Sequence, residues 1–195
     1  MKHTRIIIAL SLLLSIASLA EAQIVVSQTT ASTTRVHEKS GRKKGLVIRP
    51  EVGISKDFYM ADASVAYQFN PYLAFGGGLG FEYCTRDIYE SMGALMTGER
   101  YSMMSLPIFA NARVYFCNLK ISPFFDIKAG YQIPLTESEV LFAAQVALKG
   151  LFATAMLGAQ FKNIDLGVSL AYFEATGYYT SVETIIVSLA YNFQF

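Results

Sequence analysis

From Gly45 to Phe195 apolar side chains recur at every second position, and the two phases of that alternation differ in chemistry. Period two marks β-strands, whose successive side chains point to opposite faces. The last segment shows it plainly: Ile185, Val187, Leu189, Tyr191, Phe193 and Phe195 alternate with Ile186, Ser188, Ala190, Asn192 and Gln194. Comparable runs lie at 48–54, 61–69, 73–83, 104–116, 125–131, 151–161 and 164–172. Eight segments of about 9 to 15 residues suit strands that cross a bilayer at a tilt.

Charge separates the phases. The apolar phase carries no Asp, Glu, Lys or Arg in any of the eight segments. The other phase holds Arg49, Glu51, Asp62, Glu82, Arg113, Asp126, Lys128 and Asp165 among many Gly, Ala and Ser residues. A soluble barrel turns its apolar phase inward and its charges outward. A membrane barrel does the reverse.

Alternation alone does not say which face is inside, but aromatic positions and connections do. Tyr67, Phe69, Tyr72, Phe116, Phe161, Tyr191, Phe193 and Phe195 gather near one set of strand ends. Tyr59, Tyr83, Tyr89, Tyr101, Tyr131, Tyr178 and Tyr179 gather near the other. Two aromatic girdles are expected where strands cross lipid–water boundaries. Connections alternate too: 70–71, 117–122 and 162–163 are short, while 85–100, 132–150 and 175–182 are longer. The connection at 55–60 is short and breaks the regularity.

These features predict an all-β fold, a closed antiparallel up-and-down transmembrane barrel of about eight strands. The stretch 140–148 alternates by itself and falls out of phase at Gly150. It reads as a strand extended through a bulge or as a helical loop piece, and it leaves a ten-stranded barrel as the alternative.

Three domains follow. Residues 1–22 carry Lys2, His3 and Arg5, then an apolar run, then Ala20-Glu21-Ala22, which is the anatomy of a cleaved signal peptide. Residues 23–44 are Ser/Thr-rich and then basic, reading as a flexible periplasmic N-terminal arm; its Arg42-Lys43-Lys44 run reads as a solvated charge cluster, with contact to anionic lipid headgroups as the alternative. Residues 45–195 form the barrel. Cys84 and Cys117 fall at opposite ends of neighbouring strands, too far apart to bridge, so two free thiols are expected. Charged residues amount to 16% against about a quarter in ordinary soluble domains. The formal net charge of +1 gives no basic face for nucleic acid.

The ending Leu189-Ala190-Tyr191-Asn192-Phe193-Gln194-Phe195 resembles the C-terminal signal of bacterial outer-membrane proteins. With the signal peptide and strand count, residues 45–195 resemble the small OmpA/OmpX-type, porin-like "outer membrane protein beta-barrel" family. The resemblance implies residence in the bacterial outer membrane among lipid and lipopolysaccharide. It also implies that Leu189, Tyr191, Phe193 and Phe195 are read by the barrel-assembly machinery during insertion. The peptidoglycan-binding domain of OmpA-type proteins is not carried over.

Three function classes compete. Lipid A acyltransferase and deacylase barrels use a His with Ser or acidic partners, because acyl transfer needs a nucleophile and a positioned base. His37 is the single His after residue 22, and it lies in the arm. Glu137 and Glu139 are paired carboxylates in a loop, explained by solvation. No metal cluster, phosphate loop or cofactor motif is present in the sequence. A narrow porin-like channel is the second class, since Gly76, Gly78, Gly80, Gly130 and Gly158 either leave a water path or relieve crowding. Against it, Arg49, Glu51, Asp62, Glu82, Arg113, Asp126 and Lys128 are expected to pair within the lumen, since a buried charge demands a partner. The third class is a monomeric scaffold without enzymatic activity, metal or cofactor. It supports the envelope or presents outer loops such as 85–100, whose Arg86, Asp87, Tyr89, Glu90, Glu99 and Arg100 suit contact with lipopolysaccharide or another surface protein. This third class is the expected one.

Overall fold

The computed structural model describes residues 42–87, 100–136, 138–140, 144–176 and 181–195. The signal-peptide assignment, the arm up to residue 41 and His37 lie outside the described residues, as do Tyr89, Glu90, Glu137, Tyr178 and Tyr179. The chain divides into units Met1–Glu38 and Lys39–Phe195, the first wholly outside the described residues.

The strands of the second unit are β1 (Gly45–Ile54), β2 (Phe58–Asn70), β3 (Leu73–Asp87), β4 (Arg100–Tyr115), β5 (Ile121–Pro134), β6 (Ser138–Val140), β7 (Ala144–Phe161), β8 (Ile164–Thr176), β9 (Ser181–Tyr191) and β10 (Phe193–Gln194). Neighbours run antiparallel in the order β10-β1-β2-β3-β4-β5-β7-β8-β9, and β1 also pairs with β9. That last pairing closes the sheet. β9 and β10 are one stave interrupted at Asn192, because Glu51 faces Ala190 while Ile48 faces Phe193 in one continuous register. The result is a closed eight-stave, up-and-down barrel.

The described residues of the stretch 140–148 add no stave to the closed sheet. β6 pairs with the start of β7 alone and extends that wall past the sheet. At Gly150 the backbone takes φ of 123°, open to glycine but strained for other residues, and the β7–β8 register shifts between Leu148 and Phe152. This bulge is the reason the alternation loses phase there. β7 therefore starts at Ala144, seven residues before the position its clean alternation suggested. β3 and β4 likewise run further, to Asp87 and from Arg100, than a loop at 85–100 implies.

Burial alternates along most of the sheet and without a break over 58–68 of β2, where Phe58, Met60, Asp62, Ser64, Ala66 and Gln68 point inward. The outward face is apolar around the whole circumference. Leu79, Leu151, Leu166 and Ile185 are 58%, 62%, 59% and 59% exposed, whereas Arg49 and Arg113 are 1% and 0% exposed. Soluble proteins do not present a continuous apolar belt of this extent to water. The chain is a membrane barrel, inside-out relative to a soluble one. Near the end where β1 begins and the chain closes at Phe195, called the termini end, Tyr67 and Phe69 meet edge-on at 5.0 Å, and Tyr191 lies 4.7 Å from Phe193. Towards the opposite, loop end, Tyr59 and Tyr83 lie 6.2 Å apart. Cys84 faces Met103 inside the loop end, while Cys117 follows β4 at the termini end, and neither is in a disulfide.

Candidate functional site

The inward face assembles into three polar groups and two apolar clusters, the smaller made of Tyr115, Phe124 and Met156 beside the Arg113 group. Nearest the termini, Arg113 (β4) donates from Nε to Asp126 Oδ2 on the neighbouring β5 at 2.6 Å and from Nη1 to Asp165 Oδ2 on β8. Arg49 (β1) reaches the same carboxylates, with Nη1 3.4 Å from Asp126 Oδ2 and Nε 3.7 Å from Asp165 Oδ2. Asn192, at the break between β9 and β10, accepts from Arg49 Nε at 2.8 Å and donates to Asp165 Oδ1 at 2.8 Å. The Arg113 guanidinium also lies 3.9 Å from the centroid of the Phe124 ring. Two cations thus share two carboxylates, bridged by one amide and backed by an aromatic face.

Towards the middle, Glu51 and Asp62 are register partners on β1 and β2. Two carboxylates side by side repel. Lys128 reaches from β5 and donates to both, at 2.9 Å each. Glu82 (β3) has neutral hydrogen-bond partners among the described residues: Ser105 Oγ at 2.9 Å and Gln132 Nε2.

The loop end is apolar inside. Phe58 stacks on Phe173 at 4.7 Å, Phe152 lies 6.1 Å from Phe173, and Phe109 meets Phe152 edge-on at 6.2 Å. Met60, Cys84, Met103, Leu148, Val182 and Ile186 join this cluster. The small residues make room for these rings. A Cβ on Gly78 would sit 2.7 Å from Phe109 Cζ, and one on Gly158 would sit 2.5 Å from Phe124 Cζ. The glycines relieve crowding at those positions, and the space they leave holds aromatic carbon. Asp126, Ser105, Gln132, Phe124 and Phe173 are all fully buried, so side chains pack the lumen at every one of these levels.

Arg42 corrects the expectation of a solvated basic cluster. Lys43 and Lys44 are exposed, but Arg42 is buried, with its guanidinium turned into the termini-end mouth. Nε donates to Pro71 O at 3.0 Å, Nη1 to Gln160 Oε1 at 2.7 Å, and Nη2 to Cys117 O at 2.5 Å and Ser122 Oγ at 2.9 Å. The guanidinium lies 4.1 Å from the Tyr115 ring centroid. Burial pulls Arg42 below its usual arginine range, opposed by Tyr115, Cys117 and Asp165. The polar boundary of the barrel therefore begins three residues before β1.

Of the residues singled out in the sequence, Arg49, Arg113 and Asp126 meet at one level, and Lys128, Glu51 and Asp62 at the next. Glu82 stands in a third group without a cation among its hydrogen-bond partners. Sequence reasoning left out Asn192, Ser105, Gln132 and Arg42, and did not count Asp165 into the network although it placed that residue on the inward phase. Ser105, Gln132 and Asn192 share the inward phase with the charges, which is a usable signal; Arg42 precedes the first strand and carries none. Leu189, Tyr191, Phe193 and Phe195 all lie on the exposed face, and Phe195 N donates to Leu46 O at 2.9 Å. Ser105 beside Glu82 is a hydroxyl–carboxylate contact, but both are sealed inside, and histidine does not occur among the described residues. Nor do three His, Cys, Asp or Glu side chains converge as metal ligands there.

No family model matches the sequence, and no curated protein matches it. Solved structures similar in fold include a barrel from "De novo design of transmembrane beta-barrels", 17% identical over 78% of this chain and 98% of that one, with a TM-score of 0.41. The outer membrane enzyme PagL is 12% identical over 74% of this chain and 98% of its own, with a TM-score of 0.44. The N-terminal β-barrel domain of Pseudomonas aeruginosa OprF is 12% identical over 77% and 98%, with a TM-score of 0.45.

Proposed function

We propose that the protein is a non-enzymatic barrel of the bacterial outer membrane, acting as a structural or surface-interaction scaffold of the envelope. The filled lumen carries this reading. Buried ion pairs occupy its termini half and packed phenylalanines its loop half. A solute path would have to displace both layers. A catalytic reading would need a substrate to reach Ser105 and Glu82, which are buried.

Placement in the outer membrane is supported by the apolar belt, by the signal-peptide composition of residues 1–22 and by the alternating aromatic ending at Phe195. In this placement the termini and short turns lie on the periplasmic side, and the 85–100 region meets the cell surface. Outer-membrane lipid and lipopolysaccharide surround the belt. The assembly machinery reads Leu189, Tyr191, Phe193 and Phe195 during insertion, and the barrel works as a monomer. A porin-like channel is the second reading; the inward glycines would be its only support, and at Gly78 and Gly158 they abut phenylalanine rings.

The test is conductance of residues 23–195 refolded into a planar bilayer, with closure of the barrel verified by heat-dependent gel mobility. A correctly folded, silent barrel is the expected result. Discrete, reproducible conductance steps would replace the scaffold with the channel.

A further inference from the structure

We propose that the termini-end mouth of the lumen is a guanidinium socket, and that Arg42 occupies it as a latch fastening the N-terminal arm to the barrel. The socket is assembled from separate pieces of chain. Pro71 O comes from the β2–β3 turn, Cys117 O and Ser122 Oγ from the β4–β5 connection, and Gln160 Oε1 from the end of β7. Tyr115, at the end of β4, supplies the aromatic floor. Pro71 O, Cys117 O, Ser122 Oγ and Gln160 Oε1 are neutral oxygens.

That arrangement selects the ligand class. A guanidinium offers five N–H donors on three nitrogens in a flat fork, and it stacks on aromatic faces. Arg42 uses all three nitrogens at once, and its plane lies over Tyr115. An ammonium is a point with three donors on one nitrogen and does not reach acceptors on opposite sides of the mouth together. The carboxylates of Asp126 and Asp165 lie one layer further in, held by Arg113 and Arg49; their charge favours any cation, and the shape and hydrogen bonds of the socket favour a guanidinium.

The occupant is the chain's own segment, three residues before β1 starts. Freeing the chain just before β1 therefore requires withdrawing Arg42, and withdrawal unties two short turns and β7 in one step. Release of the arm and loosening of the mouth are a single event. This holds whether the barrel is a scaffold or a channel, so its failure and theirs are distinguishable.

Cys117 is a built-in reporter. Its carbonyl accepts from Arg42 and its thiol contacts Ile121 O at 3.6 Å, while Cys84 is buried at the other end. The full chain, refolded into phosphatidylcholine vesicles and checked by heat-dependent mobility, is labelled with a maleimide and the modified peptides are read by mass spectrometry. Arg42→Ala is expected to label at Cys117 about tenfold faster than the unaltered chain, as local opening becomes easier. Labelling at Cys84 stays unchanged. Ethylguanidinium in excess slows the Arg42→Ala reaction again, and ethylammonium does not. Gln160→Ala, which leaves the arginine in place, also speeds labelling, and adding it to Arg42→Ala brings no further increase. Equal labelling of Arg42→Ala and the unaltered chain, equal protection by ethylammonium, or additive effects of the two substitutions would each overturn the proposal. Should Arg42→Ala fail to insert, Gln160→Ala decides alone: unchanged Cys117 labelling sinks the socket.

Discussion

The two halves of the lumen solve the same problem with opposite chemistry. At the termini end the inward face is Arg49, Arg113, Asp126, Asp165 and Asn192; at the loop end it is Phe58, Phe109, Phe152, Phe173 and Ile186. Both halves fill a space that eight staves leave about wide enough for side chains. The polar half depends on direction, since Asp126 Oδ2 and Asp165 Oδ2 each meet a particular guanidinium N–H and a missing partner leaves a buried charge. The apolar half depends on volume, and rings of similar size substitute for one another at modest cost. One barrel therefore has an end that specifies geometry and an end that specifies bulk.

Arg113 tests the first half most severely. It is fully buried, it bonds Asp126 and Asp165 together, and it stacks on Phe124. Arg113→Ala is expected to cost about 3–5 kcal/mol in urea unfolding followed by far-ultraviolet circular dichroism in vesicles, because two buried carboxylates lose their main cation. Arg113→Lys should recover little of that loss, as an ammonium does not serve both carboxylates in the guanidinium's geometry. Full recovery by lysine would mean that charge alone, without direction, holds the termini end.

Phe173 tests the second half. It stacks with Phe58 and Phe152 and is fully buried. Phe173→Ala should cost about 3 kcal/mol in the same measurement, from lost contacts plus the cavity left behind. Phe173→Leu should cost under about 1.5 kcal/mol, since the cluster tolerates repacking. If leucine proved as costly as alanine, the apolar half would be directional as well, and the contrast between the ends would fail.

Most of the barrel was legible because its strands announce themselves locally. Period two along 61–69 or 185–195 fixes which side chains share a face, and charge on one phase alone fixes which face avoids lipid. Partnerships inside the lumen were not legible, because they join residues far apart in sequence: Lys128 reaches Glu51 and Asp62, and Arg113 reaches Asp165, across the barrel interior. Arg42 was hidden for a different reason. It belongs to no strand, so no periodicity points to it, and a basic run is ordinarily solvated. The apolar cluster was hidden by the polar reading of its own phase. Phe109, Phe152, Phe173 and Ile186 lie on the phase that carries the charges, and they stand out only once strand pairing brings them to one end.

Glu82 sits between the two halves and shows where the ionic rule stops. Its carboxylate lies on the inward face like Asp126, yet Ser105 Oγ and Gln132 Nε2 are the groups that hydrogen-bond it among the described residues. Asp126 is different, because two guanidiniums depend on it. A glutamine at position 82 keeps an oxygen of the same reach for Ser105 and Gln132 and removes the charge without stranding a cation. Glu82→Gln is therefore expected to change unfolding stability by about 1 kcal/mol or less, the scale of one exchanged hydrogen bond. This is the smallest of the three effects, and the one that most sharply divides charge from hydrogen bonding. A loss approaching that of Arg113→Ala would place Glu82 inside the ionic network, bound to Lys128 through a longer range than its contacts show, and the polar half would extend up to the phenylalanines.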